Sequence, residues 1–275
     1  MSETLDVAVL QLTSDDDVST NVAQVLSLLK GLEGKAPDLI CLPENALYFR
    51  IQEGSKIPSL ALDDSRLTPL KDWARVFKSS IHIGSIPRDG GGGKLFNSSV
   101  LIGPDGVAED LYRKIHLFDV DVLGHKPVRE SDVFARGEGP ATIELQGWKL
   151  GLSICYDLRF AELYSAYARA AVDVILIPSA FLVPTGRAHW EILTRARAIE
   201  SQAYVLAAAQ GGQHTNGSGS SRSTYGHSII VDPWGEVVET CPDDFGDARV
   251  LRATLSKKRI AQVRSQIPMS LHRRL

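Results

Sequence analysis

Leu150-Gly151-Leu152-Ser153-Ile154-Cys155-Tyr156-Asp157-Leu158-Arg159-Phe160 is the stretch around which the chain is organised. Leu150 to Ile154 is short, apolar and preceded by the turn pair Gln146-Gly147, the pattern of a buried strand. Cys155 stands where that run stops, and residues 159–171 read as a helix that follows at once. A side chain between the carboxyl end of a strand and the amino end of a helix lies on the rim of a sheet. Backbone N–H groups converge there, and ligands of open α/β sheets bind there. A thiol in that place is partly exposed and electrostatically tunable. Taken alone, Cys155 reads equally well as a small buried hydrophobe.

Outward from this stretch, composition narrows the classes. The 275 residues are 44% hydrophobic and 23% charged, enough for a sizeable core. No composition shift or tandem repeat cuts the chain, so residues 1–275 read as a single domain. A formal net charge of −3 leaves no electrostatic footprint for nucleic acid. No apolar run approaches a membrane span. The acidic start, Met1-Ser2-Glu3-Thr4-Leu5-Asp6, lacks the basic region of a secretory signal. Cys41, Cys155 and Cys241 are odd in number and widely spaced. That argues against a disulfide framework or zinc site and for the reducing cytoplasm. Lys257-Lys258-Arg259 and Arg273-Arg274 read as a solvated basic tail.

Apolar runs predict strands over residues 7–12, 38–42, 80–86, 95–102 and 107–112. Helices are expected over 20–32, with Asp15-Asp16-Asp17 and Ser19 as caps, and over 67–79. Residues 118–132 lack periodicity and read as a long, functional loop. A hairpin over 142–145 and 148–154 comes next, then a strand over 173–178, a loop over 179–186 and a helix over 189–202. The strand over 204–209 leads into a Gly/Ser-rich segment, 211–223, that reads as mobile. Residues 227–232 and 236–240 flank the turn Pro233-Trp234-Gly235, and 248–255 is a last strand before a short helix. These strands exceed what one open sheet holds comfortably. The expected fold is α/β, two packed mixed sheets with helices outside.

Glu44, Lys114 and Cys155 share a position: each follows an apolar strand at its polar end. If the strands are neighbours, the three side chains meet on one rim. A carboxylate takes the thiol proton and passes it to a leaving amine. A thiolate attacks an acyl carbon. An ammonium and the backbone N–H of Tyr156 stabilise the oxyanion. The set would perform acyl transfer from an amide, although singly Glu44 and Lys114 also read as ordinary surface charges.

Leu42-Pro43-Glu44, Tyr112-Arg113-Lys114-Ile115-His116-Leu117-Phe118 and Cys155-Tyr156-Asp157-Leu158-Arg159-Phe160 resemble the three signatures of the nitrilase (carbon–nitrogen hydrolase) superfamily, in order and separation. The likeness runs from Val7 to about Thr254. It implies a four-layer α-β-β-α sandwich, with Glu44 as general base, Lys114 as oxyanion cation and Cys155 as nucleophile. It matches Glu130, in Arg129-Glu130-Ser131, to a second family glutamate that orients the lysine and the substrate amine. Pro178-Ser179-Ala180-Phe181 and residues 185–191 resemble the ω-amidase branch. Residues 195–200, 207–210 and 225–235 resemble the deaminated glutathione amidase group. The resemblance therefore implies a small-molecule α-keto acid amide as substrate, no metal or cofactor, and a homodimer. It assigns Arg159 to the substrate carboxylate, gripped in bidentate fashion, and Phe181 and Thr185 to the pocket wall and a hydroxyl donor. Gly186-Arg187-Ala188-His189-Trp190 departs from the usual Gly-Pro-Ala-His-Trp, and 211–223 is longer than expected. Other readings are an N-carbamoyl amino acid or nitrile hydrolase on the same scaffold, a non-catalytic binding member of the fold, and a papain-like protease using His189 or His227. His116, His189 and Trp190 read as structural.

Overall fold

Alternation along β1 (Thr4–Gln11) sets the layering. Leu5, Val7 and Val9 enter one hydrophobic cluster, while Ala8 and Leu10 enter another, as side chains of period two must. The first cluster fills the space between two sheets, and the second lies beneath a pair of helices. The computed structural model describes residues 2–121, 127–242 and 248–274.

α1 (Val18–Lys30) starts at Asp17, whose carboxylate accepts the Thr20 N–H at 2.7 Å, satisfying a donor that the first helical turn leaves over. It packs Val18, Val22, Val25 and Leu29 on the outer face of the first sheet. β2 (Leu39–Cys41) runs parallel to β1, and α2 (Thr68–Phe77) adds Leu70, Trp73 and Ala74 to the same face. β3 (Ser80–Asp89) pairs parallel with β2, and β4 (Leu95–Ile102) and β5 (Ala108–Arg113) follow as an antiparallel meander. The stretch read as a plain loop holds a two-residue ladder, β6 (Asp119–Val120) with β7 (Val128–Arg129). Its centre, residues 122–126, lies outside the described residues.

β8 (Ala141–Leu145) and β9 (Trp148–Leu152) form the expected hairpin. The chain does not pass from β9 straight into a helix. A tight 3-10 turn, Cys155–Arg159, intervenes, and α3 (Ala161–Arg169) begins after it. Asp157 folds back onto the Ile154 N–H at 2.9 Å, which stabilises the turn, and the extended backbone of Phe160 separates it from α3. β10 (Val174–Leu176) leads to α4 (Val183–Ser201), which starts earlier than expected. Pro184 sits in its first turn, where a missing N–H breaks no helical bond. Thr185 is therefore helical, not part of a loop.

β11 (Tyr204–Ala207) precedes the Gly/Ser-rich segment, which is a hairpin, not a mobile loop: β12 (Gly211–Thr215) pairs with β13 (Ser221–Tyr225). Composition missed it because anchors far away in the chain hold it. His214 bonds the Ser14 carbonyl at 2.7 Å, and Tyr225 N donates to Phe181 O. β14 (Ile229–Val231), β15 (Val237–Thr240) and β16 (Arg249–Ser256) complete the strands. The supposed basic tail is instead α5 (Lys257–Gln266), followed by α6 (Met269–His272). Lys257 pairs with Asp173 and Arg259 with Asp232, so these charges dock the helix.

The first sheet runs β16-β1-β2-β3-β4-β5 and the second β15-β14-β11-β10-β9-β8. Each has a parallel centre and antiparallel flanks. With α1 and α2 outside one and α3 and α4 outside the other, this is the expected four-layer α-β-β-α sandwich. Among the described residues, no helix is long and apolar enough to cross a membrane.

Gly84 lies where strand ends of the two sheets approach. A Cβ there would meet the Leu42 carbonyl at 2.1 Å and the Pro178 side chain at 2.2 Å. Gly84→Ala is therefore expected to lower stability by about 1–3 kcal/mol through overpacking. Thermal unfolding checks this, and an unchanged midpoint would contradict the close approach.

Candidate active site

Glu44 leaves the carboxyl end of β2 through Leu42-Pro43, Lys114 directly follows β5, and Cys155 lies just beyond β9. β2 and β5 share a sheet with β3 and β4 between them, and β9 belongs to the other sheet. The three residues thus converge across the sandwich rather than along neighbouring strands.

The Lys114 ammonium is 2% exposed and lies 2.8 Å from Glu44 Oε1 and 2.9 Å from Glu130 Oε2. Asn97 Nδ2 donates to both carboxylates, at 3.0 and 3.1 Å. Glu130 Oε2 also accepts the Phe118 N–H at 2.7 Å. Burial works against the Lys114 charge, but the carboxylates of Glu130 and Glu44 overcome it and hold its pKa well above the ordinary range. Cys155 is 7% exposed. Burial first, and then the Glu44 charge, push the thiol pKa well up against the pull of Lys114. At neutral pH the sulfur is therefore a protonated thiol beside a carboxylate that can take its proton.

Cys155 has φ +49°, a left-handed backbone that disfavours a side chain. Neighbouring bonds hold it there. Cys155 N donates to Pro178 O at 2.8 Å. Asp157, fully buried, accepts Tyr112 OH at 2.7 Å and Ile154 N at 2.9 Å on Oδ2. Its Oδ1 accepts His116 N at 3.0 Å and meets His116 Nδ1 at 2.7 Å. One carboxylate so ties the Cys155 turn to both sides of Lys114. The N–H of Tyr156 has no backbone acceptor among the described residues, which leaves it available to an oxyanion.

These groups open into a cleft. Tyr156, Arg159, Phe181 and Thr185 all line it. The Arg159 guanidinium lies over the rings of Phe181 and Tyr156, 5.3 and 5.9 Å from their centroids, and contacts His189 Nδ1 at 3.1 Å. His189 is exposed and braces Arg159, whereas Trp190 is buried. The Thr185 hydroxyl donates to Leu182 O at 3.2 Å, so it must turn to serve a ligand.

The carbon-nitrogen hydrolase family model matches residues 6–265. The chain belongs to the carbon–nitrogen hydrolase family. It is 37% identical over 273 residues to a deaminated glutathione amidase of Yersinia enterocolitica, covering 98% of this chain and 93% of that one. It is 36% identical over 275 residues to omega-amidase NIT2 of Danio rerio, with 98% and 94% covered. Among solved structures, the C. elegans NitFhit protein superposes with TM-score 0.87 at 33% identity. That match takes in 99% of this chain but only 66% of the longer NitFhit chain. Saccharomyces cerevisiae Nit3 gives TM-score 0.83 at 29% identity, covering 100% and 98%. The protein is thus an amidase-type hydrolase of non-peptide C–N bonds that takes a small-molecule amide.

In this carbon–nitrogen hydrolase, several residues of the site escaped the sequence reading. Asn97 sits within an ordinary strand pattern and bridges Glu44 and Glu130. Asp157 and Tyr112 lie inside quoted motifs, yet nothing local marks them as partners. Phe49, Arg50 and Arg222 line the cleft; Arg222 sits in the segment misread as mobile.

Asp157→Asn would turn an N–H₂ toward groups that are themselves donors. The expected cost is about 1–3 kcal/mol of stability, together with a fall in kcat larger than any rise in KM, because the Cys155 turn loosens. Thermal unfolding and steady-state kinetics check both. A variant with wild-type kcat would show that the turn holds without the carboxylate.

Proposed function

We propose that this carbon–nitrogen hydrolase cleaves a linear α-keto acid amide, deaminated glutathione or a related compound, through a thioester on Cys155. The observation that carries the reading is the buried Lys114 ammonium held between Glu44 and Glu130, with the Cys155 thiol beside Glu44. The relatives named deaminated glutathione amidase and omega-amidase support the substrate class.

Glu44 accepts the thiol proton as Sγ bonds to the amide carbon. The carbonyl π electrons move to oxygen, where the Lys114 ammonium and the Tyr156 N–H meet the new charge. Glu44 then returns the proton to the amine nitrogen, the C–N bond breaks, and ammonia or an amine leaves. Water enters, gives a proton to Glu44 and adds to the thioester. Collapse of the second oxyanion frees the acid, and Sγ regains the proton. Glu130 keeps Lys114 in place and accepts from the substrate amine. Arg159 holds the carboxylate of the acyl half against Phe181, and Thr185 bounds that pocket.

The whole chain, 1–275, serves this reaction as one domain, since β16 closes the sheet that β1 opens. The enzyme pairs as a homodimer through the outer side of α4, which exposes Ile192 and Ile199 and where Ile199 packs against Gly235, beside exposed Trp234. It works in the cytoplasm, whose reducing conditions suit the unpaired buried thiols Cys41 and Cys155.

Brief exposure to an α-keto amide followed by intact-mass analysis should give an acyl adduct that maps to Cys155 and is absent in Cys155→Ala. Glu44→Gln should lose about 10²–10⁴-fold in kcat while remaining folded. A Glu44→Gln enzyme with near wild-type turnover would reject the base assignment.

A further inference from the structure

The cleft carries more positive charge than the proposed reaction uses. Among the described residues, Arg50, Lys114, Arg159 and Arg222 line it against Glu44 and Glu130, four cations and two carboxylates. Glu44 and Glu130 are both engaged by Lys114. Among the described residues, Arg50, Arg159 and Arg222 have no carboxylate within ion-pair distance. Elsewhere in the chain Arg66, Arg88, Arg113, Arg197 and Arg259 have one, whereas Arg252, Arg264 and Arg273 donate to backbone carbonyls. A half-buried guanidinium without a counter-charge is costly, and a ligand that supplies one recovers the cost.

The surplus falls on different aromatic rings. Arg159 follows the Cys155 turn and lies on Tyr156 and Phe181. Arg222 lies over a different ring, 5.2 Å from the centroid of Phe49, which belongs to the segment that follows Glu44. That ring is fixed in place: Phe49 stacks on His214, with centroids 4.1 Å apart. Buried His214 is bonded to Ser14 O and Thr224 Oγ1, both at 2.7 Å. Gly186 leaves no room for a Cβ against the Tyr225 ring, so β13 is seated directly on α4. Burial works against the Arg222 charge, and among the groups that support it Glu44 comes ahead of Cys155 and Glu130. Through Phe49, Arg222 is tied to the segment that carries Glu44, the proposed base that hands a proton to the departing nitrogen.

We infer that Arg222, with Arg50 beside it, is a carboxylate subsite for the amine half of the substrate, so that the cleft is built for an N-substituted amide anionic at both ends. This rests on the proposed α-keto amidase reading, with Arg159 holding the acyl-half carboxylate. A primary amide, whose amine half leaves as ammonia, makes no use of Arg222. A peptide-like amine ending in a free carboxylate does.

Binding to the Cys155→Ala enzyme separates this subsite from turnover. Two ligands are titrated calorimetrically: deaminated glutathione and the same molecule with its C-terminal carboxylate converted to a carboxamide. The free acid is expected to bind about 10–100-fold more tightly, the range of one charge-assisted hydrogen bond. Adding Arg222→Leu should abolish that preference, and Arg222→Lys should retain part of it, with thermal unfolding confirming that both variants fold. Equal binding of the two ligands, binding of neither, or a preference that survives Arg222→Leu overturns the inference. Wild-type hydrolysis of deaminated glutathione is measured in parallel. Its absence alongside an Arg222-dependent binding preference sinks the reaction reading and leaves the subsite standing. Its presence without that preference does the reverse.

Discussion

A buried ammonium has to be matched by charge, and Lys114 meets that demand with two carboxylates at once. Taking such a group out of water costs several kcal/mol unless close partners replace the solvent. Glu44 and Glu130 come from segments 70 residues before and 16 residues after the lysine, so their meeting constrains the whole rim. Asn97 adds a second link between the two carboxylates from the middle of β4. Displacing any of these elements would leave a charge in a nearly dry site.

Around this cluster the thiol is kept neutral, not ionised. Burial and the neighbouring carboxylate outweigh the ammonium, so the sulfur waits with its proton on. The left-handed backbone at Cys155 is a local expense. It persists because Asp157 joins the turn to Tyr112 and His116, which flank Lys114. Nucleophile and ammonium are thus held by one hydrogen-bonded unit that spans both sheets.

The cleft also departs in sign from the molecule. The chain carries a formal −3, yet its cleft is lined by more cations than carboxylates. A local field of this kind draws anions regardless of the net charge. Because the guanidinium groups sit on aromatic faces, they are oriented for a ligand without being neutralised beforehand.

Local pattern carried much of this protein. Apolar runs ending at Pro43, Arg113 and Cys155 marked the strands, and their number pointed to two sheets under helices, because buried strands and punctuated ends are written in adjacent residues. The three motifs placed Glu44, Lys114 and Cys155 at those ends and Glu130 within reach. What only the tertiary structure decided lies at long separation. It includes the bridging of Glu44 and Glu130 by Asn97, the docking of α5 through Lys257 and Arg259, and the folding of residues 211–225 into a hairpin that brings Arg222 over Phe49. Periodicity reports which face of an element is buried. It does not report which distant side chain will share that space, and a Gly/Ser-rich segment looks mobile until the residues that anchor it, here as far away as Ser14, are in place.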